Sequence, residues 1–419
     1  MNKVGLALSV LAAASGSALA QQTAAPTVTV YGIVDAGVTH TTGLATEKNQ
    51  VVSGIMEGSR FGLRGNEDIG GGYRALFTLE HRLEVNTGSV SNRPPTGTQV
   101  PDRLNQAALL GLPAALQPAV TGVAAQLGNT LGVNLAGRFW DRQAFLGLVT
   151  PFGAILMGRQ YTPAYEINAI FDVMGTQSSL AAGQVASIPA SVDIRVSNAL
   201  QYRIVLGGIT ASAMYSFGDP ATVPGNSKAN RFGGAMAMYK SDLFSVGLGY
   251  NQRNNDVGQE SLKSTVFGAS ANLGPGTVSM LYGDIQDDNP SGVSSIAANL
   301  APLTGAAGAA LVQTAFTEAL KQDATLAHIG YRMTTGPNTF YVAYSAYNDK
   351  RAANADVASY GVAYTYAFSK RTDVNAVLTH FDNKNLAQAA PGQAGFLGGV
   401  TKSAGTDSNS LALGIRHRF

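Results

Sequence analysis

The amino-acid sequence predicts an all-β fold, a transmembrane antiparallel β-barrel of about 16 strands. Short segments that alternate between apolar and polar residues recur from one end to the other, separated by turn residues. Only 13% of the residues are charged, whereas soluble domains usually carry about 25%. The chain also ends on an alternating segment, residues 410–419. Together these observations indicate a wall of strands whose outer face meets lipid.

The C-terminal segment, residues 410–419, reads SLALGIRHRF. Its apolar residues alternate with small or cationic ones, so the predicted strand has one apolar face and one polar face. The last strand of a closed barrel pairs with the first, because unpaired backbone groups are not tolerated in lipid. The alternative for this segment alone is a soluble β-sandwich that ends on an edge strand. The apolar positions of the strand are Leu411, Leu413, Ile415 and Phe419.

The N-terminal residues 1–20 have the pattern of a secretory signal peptide. Lys3 supplies a basic start, an apolar stretch follows, and the sequence Ala18-Leu19-Ala20 fits the small-residue cleavage pattern. The apolar core is too short for a stable membrane span. A buried N-terminal helix is the alternative. No linker divides the remaining chain, so residues 21–419 are predicted to form one barrel domain.

Composition also limits the chemistry that this chain can perform. The absence of Cys excludes disulfides, thiolate metal sites and a Cys nucleophile. The five His residues are scattered without metal-ligand spacing, and no catalytic motif is found, so we expect no enzyme, no metal and no cofactor. A formal net charge of +2 argues against a general nucleic-acid partner. After the signal peptide, no apolar stretch approaches the ~20 residues of a transmembrane helix.

Tight turns with Gly, Pro, Asn or Asp separate paired strands on one side, and longer loops join them on the other. This asymmetry is typical of outer-membrane barrels, in which the short turns are periplasmic. Two loops, residues 88–137 and 287–322, are long and rich in Ala and Leu, and we expect short helices there. Such loops either pack at the mouth or serve as a receptor or adhesin surface. The predicted strands are 27–41, 49–65, 72–87, 138–149, 153–162, 194–205, 208–218, 229–239, 243–253, 262–272, 276–286, 323–334, 338–348, 357–367, 371–383 and 407–419.

Strand alternation predicts which arginines face the lumen. If Phe61 and Phe145 face lipid, Arg60 and Arg142 face the lumen. If Leu156 and Gly158 face lipid, Arg159 faces the lumen. A charged side chain on the lipid face costs about 2–4 kcal/mol near the middle of the bilayer, which supports this choice of faces. The arginines that we predict to face inward are Arg60, Arg64, Arg142, Arg159, Arg195 and Arg203.

Several segments resemble Gram-negative general porins, most closely their beta-proteobacterial branch. Residues 59–72, SRFGLRGNEDIGGG, resemble the second hairpin of that family. Residues 142–148 (RQAFLGL), 158–161 (GRQY) and 30–37 (VYGIVDAG) and the terminal Phe419 also match. The resemblance covers essentially the whole mature chain, except that the two long loops carry no family motif.

The resemblance implies a homotrimer in the outer membrane, with a third loop folded inward as a constriction. By resemblance, Arg60, Arg142 and the segment with Arg195 and Arg203 form the basic wall, with Arg159 beside them. It also implies that the assembly machinery reads the terminal strand, with Leu413, Ile415 and Phe419 as the signal. The loop facing the wall is residues 162–193, and its acids are Glu166, Asp172 and Asp193.

The loop departs from the family pattern, because residues 171–177 read FDVMGTQ where enteric members carry a Pro-Glu-Phe-Gly-Gly-like tip. Ile33 also stands where those members carry Lys. Ordinary loop capping is therefore an alternative role for Asp172 and Asp193, and pairing with Arg159 is an alternative role for Glu166.

The predicted function is a general porin, a water-filled channel for passive diffusion of ions and small hydrophilic solutes, with weak anion preference. The alternatives are a substrate-specific porin and a structural or adhesive barrel.

Overall fold

The computed structural model describes residues 27–186, 192–218, 226–393 and 397–419. The predicted signal peptide, residues 1–20, lies outside these ranges. Within them the chain forms a closed antiparallel barrel in which each barrel strand pairs with its neighbours. The strands are β1 (Thr27–Thr41), β2 (Lys48–Ser53), β3 (Arg60–Gly70), β4 (Tyr73–Arg82), β5 (Gln143–Thr150), β6 (Gly153–Tyr161), β7 (Arg195–Leu206), β8 (Ile209–Ser216), β9 (Phe232–Lys240), β10 (Phe244–Asn254), β11 (Glu260–Leu273), β12 (Gly276–Asp287), β13 (Gln322–Thr335), β14 (Asn338–Asp349), β15 (Val357–Ala367), β16 (Thr372–Asn383), β17 (Ala389–Ala390), β18 (Gly399–Val400) and β19 (Ser408–Arg418).

The barrel has 16 strands, as predicted, because β2 and β3 act as one interrupted strand. The C-terminal half of β1 pairs with β2, and its N-terminal half pairs with β3. The sequence predicted one continuous strand over residues 49–65, but the buried Asp35 interrupts it. Its carboxylate accepts the backbone N–H groups of Ile55 and Met56, each at 2.9 Å, which turns the chain inward. The two-residue strands β17 and β18 pair only with each other.

The barrel closes where β19 pairs with β1. The final residue, Phe419, exchanges two backbone hydrogen bonds of 3.1 Å with Gly32. The Phe419 ring lies so close to Gly32 that a Cβ there would have no room. The C-terminal strand therefore seals the sheet, and the last side chain requires Gly on the strand that it meets.

Large apolar side chains lie exposed at alternate positions on the outer face, as the alternation predicted. Two assignments near β5 and β6 were wrong. Leu146 and Met157 are the exposed residues, at 54% and 48%. Phe145 instead pairs with Thr78 on the lumen side. Leu156 precedes the outward-facing Met157 and therefore also lies on the lumen side. Because Phe and Leu are both apolar, the sequence alone did not distinguish the two alternation phases of this hairpin.

The two long loops each contain a helix, α1 (Gln117–Thr130) and α3 (Ile296–Leu320), and these helices pack together at the mouth. By length and composition α3 is apolar enough to cross a membrane, which corrects the expectation that no such stretch exists. It lies outside the barrel wall, and its chain kinks at Gly305, where φ is 69°. Arg103 and Arg351 both donate to the carbonyl of Ala319 at 3.1 Å, which holds the C-terminal end of α3.

Candidate pore constriction

The third long loop enters the lumen through α2 (Pro163–Phe171). We call residues 162–186 and 192–194 the constriction loop. Ile167 and Phe171 on α2 are fully buried against a groove of glycines on the inner faces of β10 and β11. A Cβ added at Gly247 would lie 2.7 Å from Ile167, and Gly268 has no space for one beside Phe171. These strands are glycine-rich here because the helix occupies the volume that side chains would fill.

Beyond α2 the constriction loop continues toward the segment between β2 and β3. Gln177 accepts the backbone N–H of Gly58 at 3.2 Å, and Ser179 lies 2.8 Å from Thr379 on β16. The loop therefore contacts the wall on β10 and β11 and again near β16 and β1. The described part of the loop leaves the inner face of β3 to β7 as the opposite side of the opening, and the C-terminal end of β19 and the start of β16 adjoin it across β1.

That opposite side carries a row of arginines that we call the arginine wall. It draws residues from β3, β7 and β19 and from the segment just before β5. Three carboxylates lie among them, one on the segment between β2 and β3, one on β4 and one on β16. The arginine wall consists of Arg60, Arg142, Arg195, Arg416 and Arg418, and its carboxylates belong to Glu57, Glu80 and Asp373.

Glu80 connects the centre of the wall. Its carboxylate lies 2.6 Å from Nε of Arg142 and 3.4 Å from Nε of Arg60, and the Tyr31 hydroxyl donates to it at 3.1 Å. The Glu80 side chain is nearly fully buried. A buried carboxylate requires such partners, because leaving one charge unpaired away from water is costly.

Glu57 joins the wall across the barrel seam. Its carboxylate lies 3.0 Å from Arg60, 2.9 Å from Arg416 and 3.0 Å from Arg418. Burial opposes ionisation of this group. The attraction of the three guanidinium groups is stronger in sum, and the pKa of the Glu57 carboxyl falls to about 2.

Arg195 lies at the other end of the wall and has an aromatic partner. Its Cζ lies 4.4 Å from the centroid of the Tyr161 ring, and its Nη2 donates a hydrogen bond to the Tyr161 hydroxyl at 2.9 Å. Arg142 donates to the same hydroxyl at 3.2 Å. Among the described residues, no carboxylate forms an ion pair with Arg195. Its charge is therefore the least compensated in the wall.

The three predicted loop acids do not oppose the wall as free charges. Glu166 pairs with Arg203 at 2.9 Å, and Asp193 pairs with Arg253 at 2.9 Å. Pairing of Glu166 with Arg159, the alternative considered above, is wrong. The Asp172 side chain is fully buried and does not line the opening, which corrects its assignment as a lumen acid.

Asp172 instead caps the loop. One carboxylate oxygen accepts the N–H of Met174 and the other accepts that of Ala182, both at 2.8 Å. Burial raises the pKa of this carboxyl, and the nearby His328 and these N–H groups oppose the rise. The capping alternative is therefore the observed role.

Two predicted wall arginines have other roles. Arg203 faces the lumen side, but Glu166 neutralises it. Arg159 pairs in register with Ala144, and Ala144 pairs with Leu79 on the outer face. This register places Arg159 on the outer face as well. It donates to the Asp141 carbonyl and the Ser197 hydroxyl.

The inward assignment of Arg159 is therefore wrong. A register shift between Gly158 and Gln160 changes the alternation that the prediction assumed. Gly158 adopts a positive φ of 131° at this point, a conformation that other residues rarely adopt.

Arg416, Arg418, Glu57 and Asp373 were missed as site residues. The alternation of residues 410–419 already placed the two arginines on the polar face of the last strand, so their signal was present. Nothing in the local sequence indicated that Glu57 would reach them, because their contact joins residues 359 and 361 positions apart.

The wall thus presents five guanidinium groups to three carboxylates, while the predicted loop acids are either ion-paired or buried away from the opening. In a narrow opening between low-dielectric walls, such an excess of fixed positive charge concentrates the field and attracts anions. The arrangement contains the parts of a charge filter.

Comparison with known proteins identifies the family. The Gram-negative porin family model matches residues 7–386. The chain is 25% identical to outer membrane porin protein 32 of Delftia acidovorans, with 100% of both chains covered. The anion-selective porin from Comamonas acidovorans has a similar fold, with a TM-score of 0.69, 21% identity, and 94% of this chain and 100% of that chain covered. The trimer form of OmpT from Vibrio cholerae gives a TM-score of 0.57 at 14% identity, with the same coverage.

The family match spans most of the chain, and the closed 16-strand barrel with its inward loop agrees with it. The chain therefore belongs to the Gram-negative porin family and is an integral outer-membrane channel protein, not an enzyme.

Proposed function

We propose that this porin is a general diffusion channel for ions and small hydrophilic solutes with a weak to moderate preference for anions. The observation that carries the proposal is the arginine wall, whose five guanidinium groups are matched by three carboxylates. The wall lies on rigid strands and on the short segment before β5, so its charges hold fixed positions beside the opening. A fixed excess of positive charge lowers the energy of an anion in transit.

The size of the preference follows from screening and pairing. Salt screens exposed charges over a Debye length of about 10 Å at 0.1 M, so the preference is expected to be strongest in dilute salt. The three carboxylates and the ion pairs within the wall keep it moderate. The Comamonas acidovorans porin of similar fold is described as anion-selective, which is consistent with this proposal.

Reversal potentials of single channels in a salt gradient test the proposal. The double variant Arg60→Gln with Arg142→Gln is expected to move the reversal potential toward cations, because it removes two charges from the wall. Arg159→Gln is the matched control, since that arginine lies outside the wall and its loss changes the opening little. Clear cation selectivity of the wild type at ~0.1 M salt would contradict the proposal.

We also propose a homotrimer, supported by the trimer form of the structurally similar OmpT from Vibrio cholerae. Residues 1–20 are proposed as the cleaved signal peptide, and the apolar positions Leu413, Ile415 and Phe419 as the segment that the assembly machinery reads. Deleting Phe419 removes the residue that pairs with Gly32 at the seam, and is expected to leave the protein out of the outer membrane. Fractionation and cross-linking of intact membranes check both points.

A further inference from the structure

A buried histidine on the barrel wall holds the constriction loop. His328 on β13 is only 3% exposed and lies beneath the loop. Its Nε2 receives the backbone N–H of Val173 at 3.1 Å, and its Nδ1 lies 2.9 Å from the Ser345 hydroxyl on β14. Because Nε2 accepts a hydrogen bond, the ring proton of the neutral imidazole resides on Nδ1 and is donated to Ser345.

The loop segment that His328 holds is itself tied together by Asp172. Both carboxylate oxygens of Asp172 are occupied by backbone N–H groups of the same loop, those of Met174 and Ala182. The nearer oxygen lies 3.8 Å from Nε2 of His328, beyond hydrogen-bond distance. Asp172 therefore shapes the loop, while the lone pair on Nε2 of His328 connects that shape to the wall.

Few groups near this imidazole can titrate. From the loop, Asp172 is the one charged group among the described residues that acts on it electrostatically. Ser345 on β14 and Leu281 on β12 pair with His328 in register, and neither ionises in the ordinary pH range. A change in the protonation of His328 would therefore be felt mainly by Val173 and Asp172.

We propose that neutral His328 is the positioning residue of the constriction loop, and that proton uptake at Nε2 releases the loop from β13. The proposal rests on the proposed function only in that the loop borders the conducting path. Protonated Nε2 becomes an N–H donor that faces the N–H of Val173, so the bond that anchors the loop is replaced by repulsion. Protonated His328 instead attracts the Asp172 oxygen 3.8 Å away, which already accepts from Met174, so its movement toward Nε2 draws it away from Met174 and rearranges the loop.

The expected consequence is a channel that is quiet at neutral pH and fluctuates in acid. A loop that has lost an anchor samples more positions, and each position changes the open area beside the arginine wall. Current fluctuations within the open state report this motion directly. The reversal potential reports the wall charge, so the two readings separate loop position from selectivity.

Two substitutions distinguish anchoring from mere packing. His328→Gln keeps an acceptor that does not titrate in this range, with its Oε1 in place of Nε2. His328→Phe keeps the ring shape and removes the acceptor. The control is His380→Gln, because His380 on β16 contacts Asn409 on β19 and is placed away from the loop.

Single-channel recordings at about pH 7.5 and about pH 4 test the proposal, because a buried imidazole takes up its proton below the ordinary imidazole pKa of about 6.5. We expect open-state current variance of the wild type and of His380→Gln to rise at least about twofold in acid, and that of His328→Gln to stay level, because its acceptor remains. His328→Phe is expected to be noisy at both values.

Two results would overturn the proposal: a pH response in His328→Gln equal to that of the wild type, or a wild type that stays quiet in acid. A quiet His328→Phe channel at neutral pH would also overturn it. If channels lack anion preference but show the expected variance pattern, the selectivity proposal fails and the positioning of the loop by His328 stands.

Discussion

The two sides of the opening are built by different physics. The arginine wall is held by ion pairs, with Glu57 and Glu80 each contacting more than one guanidinium group. The constriction loop is held mainly by shape and by hydrogen bonds, with Phe171 in the glycine groove and Val173 bonded to His328. Its acids Glu166 and Asp193 are each paired with one arginine and so add little net charge. We therefore expect the wall to determine which ions pass and the loop to determine how wide the opening is.

This separation means that the two properties should change independently. A substitution in the groove should alter conductance while the reversal potential changes little, and a substitution in the wall should do the reverse. In a constriction whose loop carried free acids opposite the wall, any movement of the loop would change both. Here the predicted loop acids are paired or buried, so movement of the loop moves little net charge.

The largest effect is expected from filling the groove. Gly268→Ala puts a methyl group where the Phe171 ring lies, so α2 must shift away from β11. Overpacking of this kind costs about 1–3 kcal/mol. We expect a lower denaturation temperature and a changed single-channel conductance, with a nearly constant reversal potential.

Gly283→Ala on β12 is the matched control for the groove substitution. An added Cβ there meets its nearest atom at 3.6 Å, which is ordinary contact, so both measurements should stay at wild-type values. If Gly268→Ala shifted the reversal potential and left the conductance unchanged, the assignment of width to the loop would be wrong.

A smaller effect is expected where ion pairs hold the wall together. Glu57→Gln removes the carboxylate shared by Arg60, Arg416 and Arg418, and should destabilise the barrel by about 2 kcal/mol at neutral pH, less than a fully buried pair. The pKa of Glu57 in the folded protein, about 2, lies below its ordinary value of about 4.3. The stabilisation is therefore fully present above the ordinary value and is lost as pH falls through about 2.

Denaturation temperatures of the wild type and of Glu57→Gln, compared over a pH series, check this sign. The difference between them should persist down to about pH 4.5 and disappear near pH 2, because protonated Glu and Gln carry the same charge. A difference that disappeared already near pH 4 would mean that Glu57 is not held by the three arginines.

The sequence was sufficient for the barrel because alternation is a property of neighbouring residues. Sixteen strands, the inward Arg60 and the polar face of the last strand all follow from it. The same method failed at Arg159, because a positive φ at Gly158 shifts the register and no alternation rule anticipates such a shift. It also failed at Phe145, where either of two apolar neighbours was a reasonable outward residue.

The roles of the charged residues were harder to predict than their presence. Asp172 was identified as a loop acid, but its burial depends on His328, which lies 156 positions later in the chain. Glu57 had no local signal, since its partners Arg416 and Arg418 meet it only when the barrel closes. Charge can be read from a sequence, whereas the pairing that neutralises it depends on the closed fold.

The smallest expected effects are on the permeability ratio and on the current variance, and they come from substituting one acid on each side of the opening. These substitutions are also the sharpest test of the comparison. Glu80→Gln removes a wall carboxylate between Arg60 and Arg142 and should raise the anion-to-cation permeability ratio by about twofold, in line with one screened charge. Asp172→Asn removes a buried charge but replaces one acceptor oxygen with an NH₂ group, so either Met174 or Ala182 loses its partner.

The second variant should therefore raise open-state current variance and leave the permeability ratio near that of the wild type. Both quantities come from the same single-channel recordings, so each variant serves as the control for the other. If Asp172→Asn changed selectivity as much as Glu80→Gln, the loop would contribute charge to the opening, and the division between a charged wall and a loop without free charge would not hold.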